Sequence, residues 1–307
     1  MDISFLRGDF GAILTGGPGE RASDISGDRL AELLRRHGAV LFQGFGTDLA
    51  EFDVMTDKLG TDYMNYKGGG YIRKTTGEET GKTLLSTSTT FEKGQIKPMT
   101  MPLPLHAEMF YTDKRPLLLW FYCVTPADKD GQTTIADGVE IYSRLPQKWR
   151  DLLSSKRLMY LRAYPEGVWQ NIYQTDDMSV ARAFCHDSGM TTEVDEAGTL
   201  HTTYLASAIP MTRWGGHQAY INSAMTVVMQ EGTDRESLSR IRLEDGEPLP
   251  REMIKDIIAI QSEVIFELEW QAGDFVVLDN SRTMHGRRGF EDTRRNVLLR
   301  MVRDVAF

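Results

Sequence analysis

The chain has 307 residues, of which 41% are hydrophobic and 26% are charged, which is enough to bury a large core in one or two domains. Its formal net charge of −9 argues against a nucleic acid or an anionic membrane as a partner. The only two cysteines, Cys123 and Cys185, predict neither a disulfide framework nor a short-spaced metal site. Residues 1–21 lack the features of a signal peptide, and no apolar run is long enough to span a membrane. We therefore expect a cytoplasmic protein.

The first predicted elements are two helices around a short strand. A helix over residues 26–37 has Ser26 or Asp28 as its cap and Gly38 as its stop. A buried strand over 39–42 follows, and then an amphipathic helix over 48–59. Residues 60–103 show no sustained period, and a segment of this length is usually functional or disordered. We expect an active-site flap within residues 60–103, although an ordinary surface loop would have the same sequence pattern.

The rest of the chain is dominated by predicted strands. Residues 116–124 are continuously apolar, as in a strand buried on both faces. Helices are predicted over 146–153 and 251–262. The other predicted strands cover residues 133–136, 157–161, 217–222, 264–270, 275–278 and 297–302. Short strands with turns between them favour a sandwich or barrel over βαβ units. No internal repeat or linker is apparent, so we expect a single domain over residues 1–307.

Three residues form a candidate metal site. In an extended strand alternate side chains point to the same side, so His106 and Glu108 would face one point. His285 lies far along the chain, before a cluster of arginines, and offers a third ligand. Two histidines and one carboxylate that leave coordination positions open are typical of non-haem Fe(II) oxygenases. An isolated H-x-E triplet is weak by itself, and the late histidine makes the pattern more specific.

Several stretches resemble the Fe(II)/2-oxoglutarate-dependent dioxygenases of the taurine dioxygenase and clavaminate synthase superfamily. They are residues 105–109 (LHAEM), 130–133 (DGQT), 278–287 (LDNSRTMHGR), 38–45 (GAVLFQGF) and 270–274 (WQAGD). More narrowly, they resemble bacterial natural-product hydroxylases such as the aspartyl hydroxylase of the syringomycin pathway. The resemblance covers about residues 25–303, except for 60–103 and 165–215. It implies a mainly β fold with flanking helices, whose core is a double-stranded β-helix, a cupin-like jelly roll.

The resemblance also implies roles for single residues. His106, Glu108 and His285 match the iron ligands, and Thr133 matches the hydroxyl that contacts the 2-oxoglutarate carboxylate. Related halogenases carry a small residue in place of the carboxylate ligand, so Glu108 favours oxygen transfer. Asn222 lies where relatives often carry Phe-Asn, and it is a candidate substrate-binding residue. Iron held by three protein ligands keeps room for a bidentate 2-oxo acid and for O₂, so the implied cofactors are Fe(II), 2-oxoglutarate and O₂.

The resemblance further implies an arginine that pairs with the other carboxylate of 2-oxoglutarate, since a guanidinium suits bidentate recognition. Arg294 and Arg295 follow His285 by nine (294 − 285) and ten (295 − 285) positions. Relatives often carry a second arginine four residues later, whereas Arg300 follows these two by six (300 − 294) and five (300 − 295). Both candidates remain open, with a slight preference for Arg294 because it shares strand parity with Arg300.

Together these features predict a hydroxylase of an unactivated C–H bond in a small polar substrate. The resemblance favours an amino acid, or an intermediate derived from one, in natural-product biosynthesis, and a carrier protein could deliver it. Desaturation, epoxidation, cyclisation or sulfonate cleavage by the same iron chemistry are alternatives. A non-catalytic jelly roll that binds a metal is an alternative of a different class. The sequence does not fix the substrate or the oligomeric state.

Overall fold

The computed structural model describes residues 1–66, 68, 75–76, 84–85, 89–92, 95–230 and 238–307. The first strands of this part of the chain are β1 (Asp2–Arg7), β2 (Phe10–Thr15), β3 (Ala39–Gln43), β4 (Tyr63–Met64), β5 (Thr75–Thr76), β6 (Leu84–Leu85), β7 (Thr89–Glu92), β8 (Gln95–Pro98) and β9 (Leu103–His106). They are followed by β10 (Leu118–Thr125), β11 (Thr133–Asp137), β12 (Leu158–Tyr164), β13 (Thr191–Val194), β14 (Leu200–Ala206), β15 (Ser239–Leu243), β16 (Phe266–Leu268), β17 (Phe275–Asp279), β18 (Thr283–Arg287) and β19 (Asn296–Val302).

Helices lie mostly between these strands. They are α1 (Gly27–His37), α2 (Leu49–Asp57), α3 (Gly138–Arg144), α4 (Gln147–Ser155), α5 (Trp169–Tyr173), α6 (Met178–His186), α7 (Ala224–Val228) and α8 (Arg251–Val264), together with a 3₁₀ turn over Ala22–Asp24. Within the described ranges, no helix is both long enough and apolar enough to cross a membrane.

The strands form three sheets and a separate hairpin. The first sheet has the order β1-β2-β3-β17-β10-β19-β6-β5, and β4 also pairs with β19. The second sheet has the order β16-β11-β18-β9, the third has the order β13-β14-β12-β15, and β7 pairs with β8. Neighbouring strands run antiparallel except β2 and β3. Strands distant in sequence are therefore neighbours in space, as in a Greek-key arrangement rather than in βαβ units.

The first and second sheets face each other across the main core. Phe121 of β10 contacts the ring of His285 of β18, with 5.2 Å between ring centroids. Leu119, Phe121 and Cys123 of the first sheet share one apolar cluster with Ile135 of β11. These facing sheets and the flanking helices confirm the expected mainly β fold with a double-stranded β-helix core.

Helices α1 and α2 cover the opposite face of the first sheet. Phe52 of α2 is fully buried and packs edge-on against Trp120 and Phe275, with ring centroids 6.1 and 5.6 Å apart. Burying a side chain of this size stabilises the fold by roughly 1.5–3 kcal/mol. Arg300 of β19 also points to this face and pairs with Asp53 of α2 at 2.7 Å. The face of β19 that carries Arg300 is therefore turned away from the main core.

Local sequence signals predicted both helices well. The Ser26 side chain accepts a hydrogen bond from the Arg29 amide at 3.2 Å, and Gly38 ends α1 with φ 71°. At the start of α2 the Asp48 side chain accepts a hydrogen bond from the Glu51 amide at 2.8 Å. These contacts satisfy amide groups that the first turn of a helix leaves without partners.

Other predicted elements differ from the structure. The strand expected over 217–222 is wrong, because only an isolated bridge between Met211 and Gln218 forms there. Helix α8 extends to Val264, which is buried on the same helix face as Ile257, so β16 is shorter than the predicted strand. The expected flap within residues 60–103 falls partly outside the described residues and stays a prediction.

Candidate active site

His106, Glu108 and His285 come together at the edge of the second sheet. His106 is the last residue of β9 and lies directly across from His285 of β18, with 4.3 Å between ring centroids. One ligand atom from each of the three side chains can be chosen so that all lie within 4.8 Å of one another. All three residues are buried, so the protein holds a carboxylate and two imidazoles together away from bulk water.

The alignment of His106 and Glu108 has a different cause from the one expected. Strand β9 ends at His106, and Glu108 lies in the turn that follows, so strict strand alternation does not apply. Met109, the next residue, has φ 55°, which is rare for a residue with a side chain. A buried turn in an uncommon conformation, rather than an extended strand, brings the Glu108 carboxylate to 3.5 Å from His285 Nε2.

Asn280 fixes this turn from the other side. Its Oδ1 atom accepts a hydrogen bond from the Glu108 amide at 2.9 Å, and its Nδ2 group donates to the Glu108 carbonyl at 3.0 Å. The same Nδ2 group donates to the Pro116 carbonyl at 2.8 Å. Because Asn280 is 1% exposed, these bonds are shielded from water and hold the backbone of Glu108 in one place.

The donor set fits a divalent first-row metal ion. His106 Nδ1 lies 2.9 Å from the Pro104 carbonyl, and a hydrogen bond from Nδ1 leaves the Nε2 lone pair available to a metal. His285 Nε2 is the ring nitrogen nearer Glu108. Its Nδ1 atom is buried and has no hydrogen-bond partner in the described part of the chain. Two imidazole nitrogens and one carboxylate oxygen are the donor set with which non-haem oxygenases bind Fe(II).

A second polar cluster lies at the start of β11. Arg295 donates from Nε to the Gly131 carbonyl at 2.7 Å and from Nη2 to Thr133 Oγ1 at 3.4 Å. Trp270 Nε1 also donates to Thr133 Oγ1, at 2.9 Å. Burial lowers the pKa of Arg295 to about 10, and among the described residues no carboxylate pairs with this guanidinium. A buried cation beside a hydroxyl is a suitable place for the carboxylate of a ligand.

Arg294 lies in a different environment. Its side chain is 68% exposed and pairs with Asp128 and with Asp292. The preference for Arg294 on strand parity is not supported, because β19 begins only at Asn296 and the preceding residues form a turn. The parity argument also used Arg300, which faces α2 rather than the main core. The geometry favours Arg295 as the partner of Thr133.

Asn222 is fully buried against the metal-site loop, the segment 107–111 that follows β9 and carries Glu108. Its side chain donates to the Ala208 carbonyl at 3.3 Å and accepts from the Ala224 amide at 2.9 Å. Its backbone carbonyl accepts a hydrogen bond from the Ala107 amide at 3.0 Å. Because these backbone groups occupy its amide, Asn222 is better placed to position Ala107 than to bind a substrate.

Sequence reasoning missed three residues that shape the site. Asn280 and Trp270 stand inside the motifs that carried the resemblance, yet nothing in the sequence assigned a contact to either. Gly131 belongs to the predicted turn, and its φ of 74° explains why glycine is needed there. A Cβ atom on Gly131 would lie 3.0 Å from both Arg295 Cδ and Phe290 Cβ. Position 131 therefore has to be glycine for the Arg295 side chain to approach the turn.

Comparison with known proteins identifies the family. Residues 2–302 match the model of the taurine catabolism dioxygenase TauD, TfdA family. The chain belongs to this family. A TauD/TfdA protein of this type is an Fe(II)- and 2-oxoglutarate-dependent dioxygenase that consumes O₂, and the buried His-Glu-His group of this chain agrees with that chemistry. The expected enzyme class and cofactors are thereby confirmed.

Three relatives illustrate the similarity. A clavaminate synthase-like protein of Arabidopsis thaliana is 27% identical over 283 residues, which are 87% of this chain and 82% of that protein. The dapdiamide synthesis protein DdaC of Enterobacter agglomerans is 27% identical over 281 residues, which are 86% of this chain and 82% of that protein. The crystal structure of PvcB from Pseudomonas aeruginosa superposes with a TM-score of 0.58 at 17% identity, covering 98% of this chain and 90% of PvcB. PvcB is described as an Fe, alpha-ketoglutarate-dependent oxygenase from an isonitrile synthetic pathway.

Proposed function

We propose that this TauD/TfdA dioxygenase hydroxylates an unactivated C–H bond of a small polar molecule, an amino acid or an intermediate derived from one, in natural-product biosynthesis. The observation that carries the proposal is the meeting of His106, Glu108 and His285 in a buried site. The biosynthetic setting is supported by DdaC, a dapdiamide synthesis protein, and by PvcB, which belongs to an isonitrile synthetic pathway.

In this proposal His106, Glu108 and His285 hold the iron. Arg295 donates to Thr133 Oγ1, so both residues are assigned to one carboxylate of 2-oxoglutarate, the one far from the iron, whereas the resemblance implied separate carboxylates. Arg295 supplies a fixed positive charge, and Thr133 supplies a hydroxyl whose oxygen already accepts from Trp270. When bound, Fe(II), 2-oxoglutarate and O₂ would together supply the oxidant: one oxygen atom of O₂ enters the C–H bond, and the other enters succinate as 2-oxoglutarate loses CO₂. The chain itself binds and orients the reactants and keeps water away from them.

Glu108 bears on the choice between oxygen transfer and halogenation. Its carboxylate supplies one of the three candidate ligand atoms, whereas the related halogenases carry a small residue in its place. Asn280 holds its backbone through two hydrogen bonds, which limits its movement away from the site. We therefore assign oxygen transfer rather than halogenation to this chain.

Exchange of Glu108 tests the proposed metal site. Metal-free Glu108→Ala protein, reconstituted with Fe(II) and 2-oxoglutarate without oxygen, should lose the weak visible charge-transfer band of the wild type, because a ligand to the iron is missing. In air it should also lose succinate formation. Glu267→Ala, which removes a carboxylate from strand β16 of the same sheet, should keep both signals. A Glu108→Ala protein with a normal band and normal turnover would contradict the ligand assignment.

A substrate screen tests the proposed reaction. Free amino acids and their N-acyl derivatives, tested one at a time, should include compounds that raise succinate formation by the wild type and gain one oxygen atom by mass spectrometry. A product two mass units lighter than the substrate would indicate desaturation or cyclisation instead. Normal binding of Fe(II) and 2-oxoglutarate without stimulation by any compound of these classes would contradict the proposed substrate class.

A further inference from the structure

Arg162 is a buried cation on the inner face of the third sheet. It lies on β12, where alternate residues from Leu158 to Tyr164 are buried, and its own residue exposure is 9%. Its Nη1 atom donates to the Gly68 carbonyl at 2.6 Å. Among the described residues this is the only hydrogen bond of the guanidinium, so most of its five donors remain available.

The surroundings of Arg162 contain tyrosines rather than acids. Its Cζ atom lies 3.6 Å from the centroid of the Tyr111 ring. Tyr66, Tyr164 and Tyr173 lie close enough to affect the pKa of the guanidinium. Burial acts to lower the pKa of Arg162, but these hydroxyls outweigh it and raise the pKa above the usual value, so the group stays charged. No carboxylate in the described part of the chain forms an ion pair with it.

Two other arginines of low exposure are neutralised by a carboxylate, and buried Arg287 donates to the carbonyls of Met99 and Met101. Arg300 pairs with Asp53 at 2.7 Å, and Arg282 pairs with Asp137, also at 2.7 Å. Arg295 shares with Arg162 the lack of a carboxylate partner among the described residues, and Arg295 is the residue assigned above to 2-oxoglutarate. Because an uncompensated buried charge is costly, a second one of this kind indicates a second site for an anion.

Contacts link Arg162 to the metal-site loop. Tyr160, two residues earlier on the same face of β12, accepts a hydrogen bond at its hydroxyl from the Ser223 amide at 3.0 Å. Ser223 Oγ in turn donates to the carbonyl of Ala107 at 2.7 Å. Ala107 lies between the candidate ligands His106 and Glu108. Tyr111 lies three residues after Glu108, and its buried hydroxyl is within electrostatic range of both Glu108 and Arg162. The cation therefore lies beside the metal site.

We propose that Arg162 binds a carboxylate of the substrate and thereby orients it toward the metal site. This inference rests on the proposed function and narrows its substrate class to molecules with a free carboxylate. One guanidinium, with no second cation among the groups that set its electrostatics, matches a single negative charge better than a phosphate dianion. The Tyr111 ring stacked on Arg162 fixes the plane in which the remaining N–H groups can meet two carboxylate oxygens.

The inference can be tested without knowing the substrate. Protein loaded with Mn(II) and saturated with 2-oxoglutarate is titrated with monocarboxylates from acetate to hexanoate and 3-phenylpropionate, and in parallel with their primary amides. The wild type should show saturable thermal stabilisation and a tyrosine absorbance change with at least one acid and with none of the amides. Arg162→Met should bind the same acid at least about tenfold more weakly, because the charge-assisted hydrogen bonds are lost.

Three further samples make the test decisive. Arg240→Met removes an exposed cation from β15 of the same sheet and should bind the acid as the wild type does. Arg162→Lys keeps the positive charge but lacks the planar guanidinium group. This variant should fold even if Arg162→Met does not. It should bind the acid more weakly than the wild type does. Arg162→Met should retain the anaerobic Fe(II)–2-oxoglutarate band, and loss of that band in the wild type would count against the proposed function instead. Equal acid binding by the wild type and both Arg162 variants, or no acid binding by the wild type, would overturn the inference.

Discussion

Arg295 and Arg294 are adjacent in sequence but meet opposite physical conditions. Arg295 is 7% exposed, beside Thr133, and donates to the carbonyl of Gly131. Arg294 is surrounded by water and by two aspartates. Surface ion pairs contribute little to binding or stability. A buried guanidinium, in contrast, forms strong charge-assisted hydrogen bonds with an anionic ligand. The pair therefore offers a matched comparison of the same side-chain change in two environments.

Arg295→Gln should raise the KM for 2-oxoglutarate by about 10- to 100-fold, because charge-assisted hydrogen bonds to the ligand carboxylate are lost. Arg294→Gln should change this KM by less than about twofold. Succinate formation at varied 2-oxoglutarate concentration measures both. If the two variants shift KM equally, or if only Arg294→Gln does, the cosubstrate anchor is misplaced.

Gly131 controls how closely Arg295 approaches its turn. Gly131→Ala should lower the free energy of unfolding by about 1–3 kcal/mol because of its positive φ, and it should also raise the KM for 2-oxoglutarate, because the new methyl group would displace Arg295. Gly246 has φ 89° with nothing within 4 Å of an added Cβ. Gly246→Ala should therefore show the stability loss without the KM change. Equal KM values for the two variants would contradict the steric argument.

At the scale of elements, Asn280 connects the turn after β17 to the loop after β9. Asn280→Ala removes hydrogen bonds with the amide and carbonyl of Glu108 and with the carbonyl of Pro116. Leaving these buried groups without partners should lower the free energy of unfolding by about 2–4 kcal/mol. Metal affinity should fall as well, because the Glu108 backbone is released.

Urea unfolding and Fe(II) titration measure the two effects. Asn171 is an exposed residue of helix α5; Asn171→Ala removes its side-chain hydrogen bond to the Gly167 carbonyl and should leave metal affinity unchanged. An Asn280→Ala protein that loses stability but binds Fe(II) as the wild type does would show that Asn280 supports the fold without positioning the ligand.

The elements also show what the sequence can predict. Helices α1 and α2 were predictable because their caps and apolar periods are local. The third sheet was predicted only in part, because pairing of β12 with β14 and β15 depends on contacts between residues far apart in the chain. The parity argument that slightly favoured Arg294 does not apply, because parity holds only inside a strand and β19 begins at Asn296. The tyrosines around Arg162 come from several elements, and no sequence pattern joins them.

At the scale of the whole molecule, stability depends on pH through buried carboxyl groups. Burial raises the pKa of Asp279 from 3.8 to about 6, although hydrogen bonds from the Ser281 side chain and amide oppose this. In the folded protein Asp279 therefore holds its proton to higher pH than in the unfolded chain. Between these two values the folded state binds more protons, so this group reduces stability as pH rises from about 4 to 6.

Asp279→Asn removes this ionisation while keeping an oxygen acceptor for Ser281. Relative to the wild type, the free energy of unfolding of the variant should rise by about 1–3 kcal/mol between pH 4 and pH 7.5. Urea unfolding of both proteins across this range measures the difference, in which the titration of all other groups cancels. Hydrogen bonds from the Ser179 side chain and amide lower the pKa of exposed Asp177. This carboxylate keeps its charge above its unfolded value, so the Asp177→Asn difference should stay flat from pH 5 to 7.5. A flat Asp279→Asn difference would mean that the Asp279 carboxyl is not desolvated in the folded protein.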